Sequence, residues 1–317
     1  LNKKKIHVIA FIEAISSLRF DYKQIEKHLT DNRLTITEKK ILEAWLMLRD
    51  RKFNEILDSM SKLNTDYDDM VESQKNLLLG ITHNNRNEYD QALPYIQNSL
   101  KLVKLYNAPS IEFSILHNLF VVYSNLKDLN GMKESFSQLE MLPIETQLQL
   151  ISKLQCKFAL YSFNGDMTNS ALILDELEEY LPVMNEVQSI AHQINKFIYF
   201  AKNQDFNGCD KALKQMKSYR KFQASSNFIY MRSMLDLLHK DKTLYIYQND
   251  FDGHPFLYNQ LKFIQALEAV DMKEAAIYWD NLQKLAPKIY QDNYHYNGDV
   301  SIFSLAMDKY FVKTNQK

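Results

Sequence analysis

The 317-residue chain has little of what breaks regular structure, with only six glycines and six prolines. Sandwiches and barrels turn often and draw on both residues, so their scarcity argues against them. Two cysteines, Cys156 and Cys209, are too few and too far apart for a disulfide framework, and both lie in apolar-periodic stretches that suit reduced core thiols. No apolar run reaches the roughly 18 residues that a membrane span requires. Lys+Arg number 38 against 39 Asp+Glu, a net charge of -1, so the chain lacks the basic excess of a nucleic-acid binder.

Catalytic signatures are missing as well. There is no Gly-rich phosphate loop, no G-x-S-x-G elbow and no H-E-x-x-H pair. The eight histidines are scattered, and His295 in "YHY" has no identifiable partner ligands. The carboxylates of "DELEEY" (175–180) and "DYDD" (66–69) fall on helices or at helix starts, where the macrodipole accounts for the second group. The sequence therefore predicts no enzyme, no cofactor and no metal site. The opening "LNKKKIHVIAFIEAISSL" places lysines before an apolar stretch, as a signal peptide does. His7 and Glu13 interrupt it, and no small-x-small cleavage site follows. Ile6, Ile9, Ile12 and Leu18 suit an amphipathic helix instead, in a soluble, cytoplasmic protein.

What the chain has in quantity is Leu, Ile, Lys, Glu, Gln and Met, all compatible with helix. "LLLGITHNNRNEYDQALPYIQNSL" (77–100) reads as two helical runs around a polar elbow. Gly80 precedes Ala92 by twelve residues and Tyr89 precedes it by three. Small residues at the first two positions let the helices cross closely, and the aromatic plugs the elbow. The elbow recurs at Phe53, Met132, Met167, Phe206 and Met272, more weakly at Leu244, with an earlier copy at Tyr22. Apolar residues follow at helical steps, as in Ile56, Leu57, Met60 and Leu63, or Ala275, Ala276, Trp279, Leu282 and Leu285. Such spacing predicts antiparallel helical hairpins repeated along the chain.

On Gly80/Tyr89/Ala92, and on Met272, Ala275, Trp279, Leu282 and Pro287, the chain resembles the tetratricopeptide repeat superfamily over most of residues 1–290. The resemblance implies an all-α, right-handed superhelical array (an α-solenoid) of about seven or eight hairpins over 1–290, with a capping segment over 291–317. The sequence departs from the family where Tyr123, Phe158, Phe197 and Phe263 stand at the first small position, facing Ser135, Ser170, Cys209 and Ala275. A helical bundle with coincidental elbows is the alternative.

In such an array the first helices line a concave groove that takes extended peptides or partner helices. The elbow alignment places Gln74, Leu77 and Ile81, then His117, Phe120 and Ser124, then Ser152 and Gln155 on that face. Ile194, Asn195 and Ile198 follow, then Arg232 and Asp236, then Gln260 and Ile264. The candidate partner-binding residues are Gln74, His117, Phe120, Gln155, Asn195, Arg232, Asp236 and Gln260, because amides can donate to and accept from a polypeptide backbone. Arg232 and Asp236 are either an ion pair at i, i+4 or a site where Arg232 meets a ligand carboxylate. One tetratricopeptide subfamily grips chaperone tails through paired Lys and Asn; Leu77, Ile81, Phe120 and Ser124 stand at the matching positions, so that clamp is missing.

Three stretches lie outside the repeat logic. "KALKQMKSYRKF" (211–222) is either a solvated outer face or a basic patch for nucleic acid. "LTITEKKILEAWL" (34–46) is similar to the start of bacterial winged-helix domains, but no basic wing follows. Asn297-Gly298 signals a β-hairpin before a short helix, which would cap the last repeat or join two subunits as a homodimer. The function expected is a non-enzymatic scaffold that binds a protein or peptide. The alternative is a peptide-sensing regulator, similar to quorum-sensing receptors in its repeats, acting through protein contacts or an effector domain outside this chain.

Overall fold

A computed structural model describes residues 3–17, 22–65, 68–219, 226–239, 246–251 and 254–285. Among the described residues the chain is all-α, and no helix is long and apolar enough to cross a membrane. Contacts gather into two compact units, Leu1–Glu145 and Thr146–Lys317. The first holds α1 (Lys3–Ser17), α2 (Tyr22–Leu29), α3 (Ile36–Arg49), α4 (Phe53–Ser61), α5 (Asp69–Asn85), α6 (Tyr89–Val103), α7 (Pro109–Asn125) and α8 (Leu129–Met141). The second holds α9 (Gln147–Phe163), α10 (Met167–Glu178), α11 (Glu186–Lys202), α12 (Phe206–Met216), α13 (Ser226–His239), α14 (Pro255–Glu268) and α15 (Met272–Leu285). The elbow at Leu244, the proline at 287 and the capping segment at 291–317 lie outside the described residues.

Consecutive helices pack as antiparallel pairs, and among the described residues one backbone device makes six of the reversals. Arg51, Asn87, Lys127, Gly165, Gln204 and Val270 have φ of 59°, 62°, 61°, 74°, 57° and 60°. Each sits just past the end of a first helix. The N–H of the following residue then reaches back to the carbonyl five residues earlier at 2.9–3.0 Å, as in Glu88 to His83 and Asp205 to Phe200. This is the Schellman arrangement, which satisfies carbonyls that a helix end leaves open. At four of the six the same following residue caps the next helix; Lys52 and Glu88, before α4 and α6, make no side-chain cap. Asp128, Asp166, Asp205 and Asp271 accept from the backbone N–H of Gly131, Asn169, Gly208 and Glu274 at 2.9, 3.0, 2.9 and 3.0 Å. First helices start differently: Thr35/Glu38, Thr146/Gln149 and Asn185/Gln188 form capping boxes at α3, α9 and α11.

Small residues on the second helices admit the first helices closely. Cys209 Sγ lies 3.6 Å from the Phe197 carbonyl, twelve residues earlier. A Cβ at Gly80 would collide with Ile96, one at Gly131 with the Tyr123 ring, and one at Gly208 with Phe200. In the second unit Ile151, Leu154 and Phe158 of α9 meet Ile173, Leu174 and Leu177 of α10 in a buried cluster. Each such side chain removed from water contributes about 1.5–3 kcal/mol.

Two expectations need correction. The positive φ at Lys127 puts Leu129, not Met132, at the position of Tyr89. Met132 then matches Ala92, and its partner twelve residues earlier is Phe120 rather than Tyr123; both are buried. The elbow anchor also fails to plug at the last described hairpin, where Met272 is 57% exposed. By contrast Tyr89 is buried, and its hydroxyl donates to Asn87 Oδ1 at 2.7 Å.

A β-branched side chain in the left-handed region is strained by about 1–3 kcal/mol. Val270→Gly is therefore expected to raise stability to urea by about 1 kcal/mol. Gly208→Ala, which drives a methyl into Phe200, is expected to lower it by about 1–3 kcal/mol. Matched urea titrations with unchanged midpoints for both variants would contradict this account of the elbow.

Candidate functional site

The first helices carry most of the buried polar groups. On α5, Ser73 Oγ meets Ser99 Oγ at 3.0 Å, and Asn76 Nδ2 donates to the Glu72 carbonyl at 2.8 Å. Between them Gln74 is fully buried, and neither its Nε2 nor its Oε1 has a protein partner. His83, which stands beside Asn84 and Asn85, belongs to the elbow. Its ring stacks on Tyr95 at 5.5 Å, and Nδ1 lies 2.7 Å from the carboxylate of Glu88, the residue before α6. Asn125 Nδ2 donates to Asn84 Oδ1 at 2.9 Å, tying the elbows of successive hairpins. On α7, Phe120 is buried against Phe136, with ring centroids 6.2 Å apart, while His117 is half-buried.

In the second unit, amides lace α9 to α11. Gln155 Nε2 donates to the Gln188 carbonyl at 2.9 Å, and Gln188 Nε2 donates to the Leu148 carbonyl at 2.8 Å. Gln155 therefore serves the packing of two first helices. One turn further on, His192 and Lys196 converge on Glu178 at the end of α10, at 3.2 and 2.6 Å. Sequence reasoning missed this cluster; its one signal is a His and a Lys four apart on α11. Glu178 sits where the α10 dipole disfavours a carboxylate, and the two α11 groups offset that.

The protonation states follow from the surroundings. Burial pushes His192 below the ordinary histidine value of 6.5, although Glu178 pulls the other way. Burial also works to raise Glu178, but hydrogen bonds from Lys196 and His192 outweigh it and hold the carboxyl below its usual range. Both directions agree if His192 is neutral and donates from Nε2, with Lys196 supplying the positive charge. That leaves His192 Nδ1 an acceptor, and it has no protein partner; neither has the Oε1 of neighbouring Gln193. Asn195, half-buried, follows on the same helix.

The remaining candidates scatter. Arg232 on α13 bonds Asp210 on α12 at 3.0 Å and Asp236 at 3.5 Å, so the ion pair has a third member that spacing alone did not show. Gln260 on α14 is buried. Lys211 and Lys214 on α12 and Lys217 just after it are exposed, and Lys214 pairs with Asp210 at 2.6 Å, as on a solvated outer face. "LTITEKKILEAWL" forms α3, the first helix of a hairpin with α4. Of the eight predicted contact residues, Gln74, Phe120 and Gln260 are buried and Gln155, Arg232 and Asp236 are engaged within the protein. His117 and Asn195 remain partly accessible, one in each unit.

A groove of about 400 Å³ opens elsewhere, between α6, α7 and α8. Gln97 bonds Tyr123 across it at 3.0 Å, and Lys104 bonds Gln138 at 3.0 Å. Among the described residues no group of His, Cys, Asp and Glu could hold a metal ion. Burial pushes both thiols up, that of Cys209 to about 12, so neither is a ready nucleophile at neutral pH. No protein-family model matches the chain, and no curated protein matches it.

A buried histidine whose folded pKa is depressed takes up its proton more readily after unfolding. Its contribution is present above the unfolded value of 6.5 and is lost as pH falls below it. Urea stability is thus expected to decline between pH 7.5 and 5, and His192→Gln to flatten that decline. Parallel pH profiles for the two proteins would contradict the assignment of a neutral, buried His192.

Proposed function

We infer that the chain is a non-enzymatic scaffold that binds a protein or peptide along its first helices, in the manner of a tetratricopeptide-like solenoid. The observation that carries this reading is where the unsatisfied polar atoms lie. Trp45, Gln74, Thr82, Ser162, His192 and Gln193 each hold a buried polar atom without a protein partner, and all six are on first helices. Leaving such a group unsatisfied costs about 1–3 kcal/mol. These atoms lie inside the fold, so the reading looks to the accessible polar groups beside them, such as the half-buried Asn195, whose amide can donate to and accept from a polypeptide backbone.

The second helices differ. The Asp caps of α8, α10 and α12 bond their own helix backbone, and Lys214 of α12 pairs with Asp210. Among the accessible positions, Asn195 beside Gln193 is the best placed to meet a ligand.

An array of peptides of about 15 residues, probed with the full chain, tests the reading. A subset is expected to bind wild type and the outer-face variant Lys211→Glu alike, and Asn195→Arg about tenfold less or weaker. Binding no better than to scrambled peptides, or identical profiles for Asn195→Arg and wild type, would sink it.

A further inference from the structure

Four of the six glycines follow an asparagine, in Asn130-Gly131, Asn164-Gly165, Asn207-Gly208 and Asn297-Gly298. The last pair lies outside the described residues. In an Asn-Gly dipeptide the glycine nitrogen can attack the preceding side-chain amide, since no Cβ obstructs the approach. Whether it does so in a folded chain depends on how firmly the two residues are held. The three described pairs sit in equivalent hairpins, and the fold holds them differently.

Asn130 and Asn207 lie in the first turns of α8 and α12. The N–H groups of Gly131 and Gly208, which would have to attack, donate to the capping carboxylates of Asp128 and Asp205 at 2.9 Å. Both glycines are buried, one against the Tyr123 ring and the other against Phe200. Freeing either nitrogen means lifting the start of a second helix off the first.

Asn164 is placed otherwise. It ends α9 at φ −77° and ψ 0°, and Gly165 makes the left-handed turn at φ 74°. Both residues are exposed, and a Cβ at Gly165 would have no neighbour within 4 Å. The attacked amide is tied by Asn164 Nδ2 to the Leu160 carbonyl at 3.0 Å, and the attacking N–H by the Ser162 carbonyl at 3.1 Å. These bonds belong to the last turn of a helix, where local opening costs least.

We propose that Asn164-Gly165 is a site of spontaneous deamidation in the folded protein, at the elbow between α9 and α10. The Gly165 nitrogen loses its proton to solvent and bonds to Asn164 Cγ. The Cγ–Nδ2 bond breaks, and Nδ2 takes up a proton and leaves as ammonia. Water then opens the cyclic imide at one carbonyl or the other, giving an aspartyl or an isoaspartyl residue, and no other reactant is consumed. The isoaspartyl form carries the main chain through the side-chain methylene, so the elbow gains a backbone atom. Either product sets a carboxylate at the C-terminal end of α9, where the helix dipole opposes it. The inference stands independently of the polypeptide-binding reading.

The full chain, kept in mildly alkaline buffer with a parallel sample in concentrated urea, is digested at intervals and mapped by mass spectrometry. In the folded chain, conversion at 164 is expected to run about tenfold or more ahead of conversion at 130 and 207. In urea the three rates are expected to agree within about threefold. Equal rates in the folded chain, or a faster reaction at 130 or 207, would overturn the proposal. So would a lead of 164 that persists undiminished in urea, because flanking sequence and not the elbow would then set it. Gly165→Ala is expected to slow conversion at 164 by about tenfold and leave 207 as it was. An unchanged rate at 164 in that variant would rule out attack by the Gly165 nitrogen.

Discussion

Six times in the described chain a single residue enters the left-handed region, and the direction of the next helix follows from that one torsion. The carbonyls of the first helix are closed by two returning N–H groups, and in four of the six the residue that donates one of them caps the second helix. Termination and initiation share three residues, so no loop entropy separates the two helices. Everything above this level, including the close approach at Cys209 and the seating of Tyr123 on Gly131, assumes that the elbow delivers the second helix at a fixed angle. Only one of the six positions is a glycine and one an asparagine, so the surrounding structure holds the other four against their intrinsic preference.

That division explains what was legible in the sequence. Apolar spacing after Phe53 and Met272 marked both helices of a hairpin, because a helix must present its buried side chains at three- and four-residue steps. The elbow residues themselves carry no such signature. Arg51, Lys127 and Gln204 look like ordinary polar turn residues, so the alignment at Met132 slipped by three until the φ of Lys127 fixed it. The candidate groove suffered from a different gap. A glutamine on an inward face reads the same whether it is offered to a ligand or tied to the next helix. Only the bond from Gln155 to the Gln188 carbonyl decides, and its partner is 33 residues away. His192, Lys196 and Glu178 were invisible for the same reason, since Glu178 belongs to the preceding helix.

Polar groups are handled in two ways within each hairpin. Four second helices, α8, α10, α12 and α15, open with a capping aspartate, which satisfies backbone donors locally and asks nothing of other helices. First helices bury amides, hydroxyls and imidazoles between neighbours, where low dielectric strengthens a satisfied bond and penalises an unsatisfied one. Gln188 and Gln155 are the satisfied version and Gln74 and Gln193 the other.

The short elbow also dictates where the chain can change length. Successive left-handed residues at 51, 87, 127, 165 and 204 are unevenly spaced, yet the backbone around each is the same. The variation is absorbed in the connections between hairpins, such as 104–108 and 142–146, and in the helices themselves. One residue inserted into a connection merely lengthens a surface segment. Inserted between Lys127 and Leu129, it would rotate the whole of α8 by about 100° about its axis, turning Gly131 away from Tyr123 and Phe136 away from Phe120. Indels among descendants of this chain should therefore be read as a map of its joints, dense between hairpins and excluded from the bends within them.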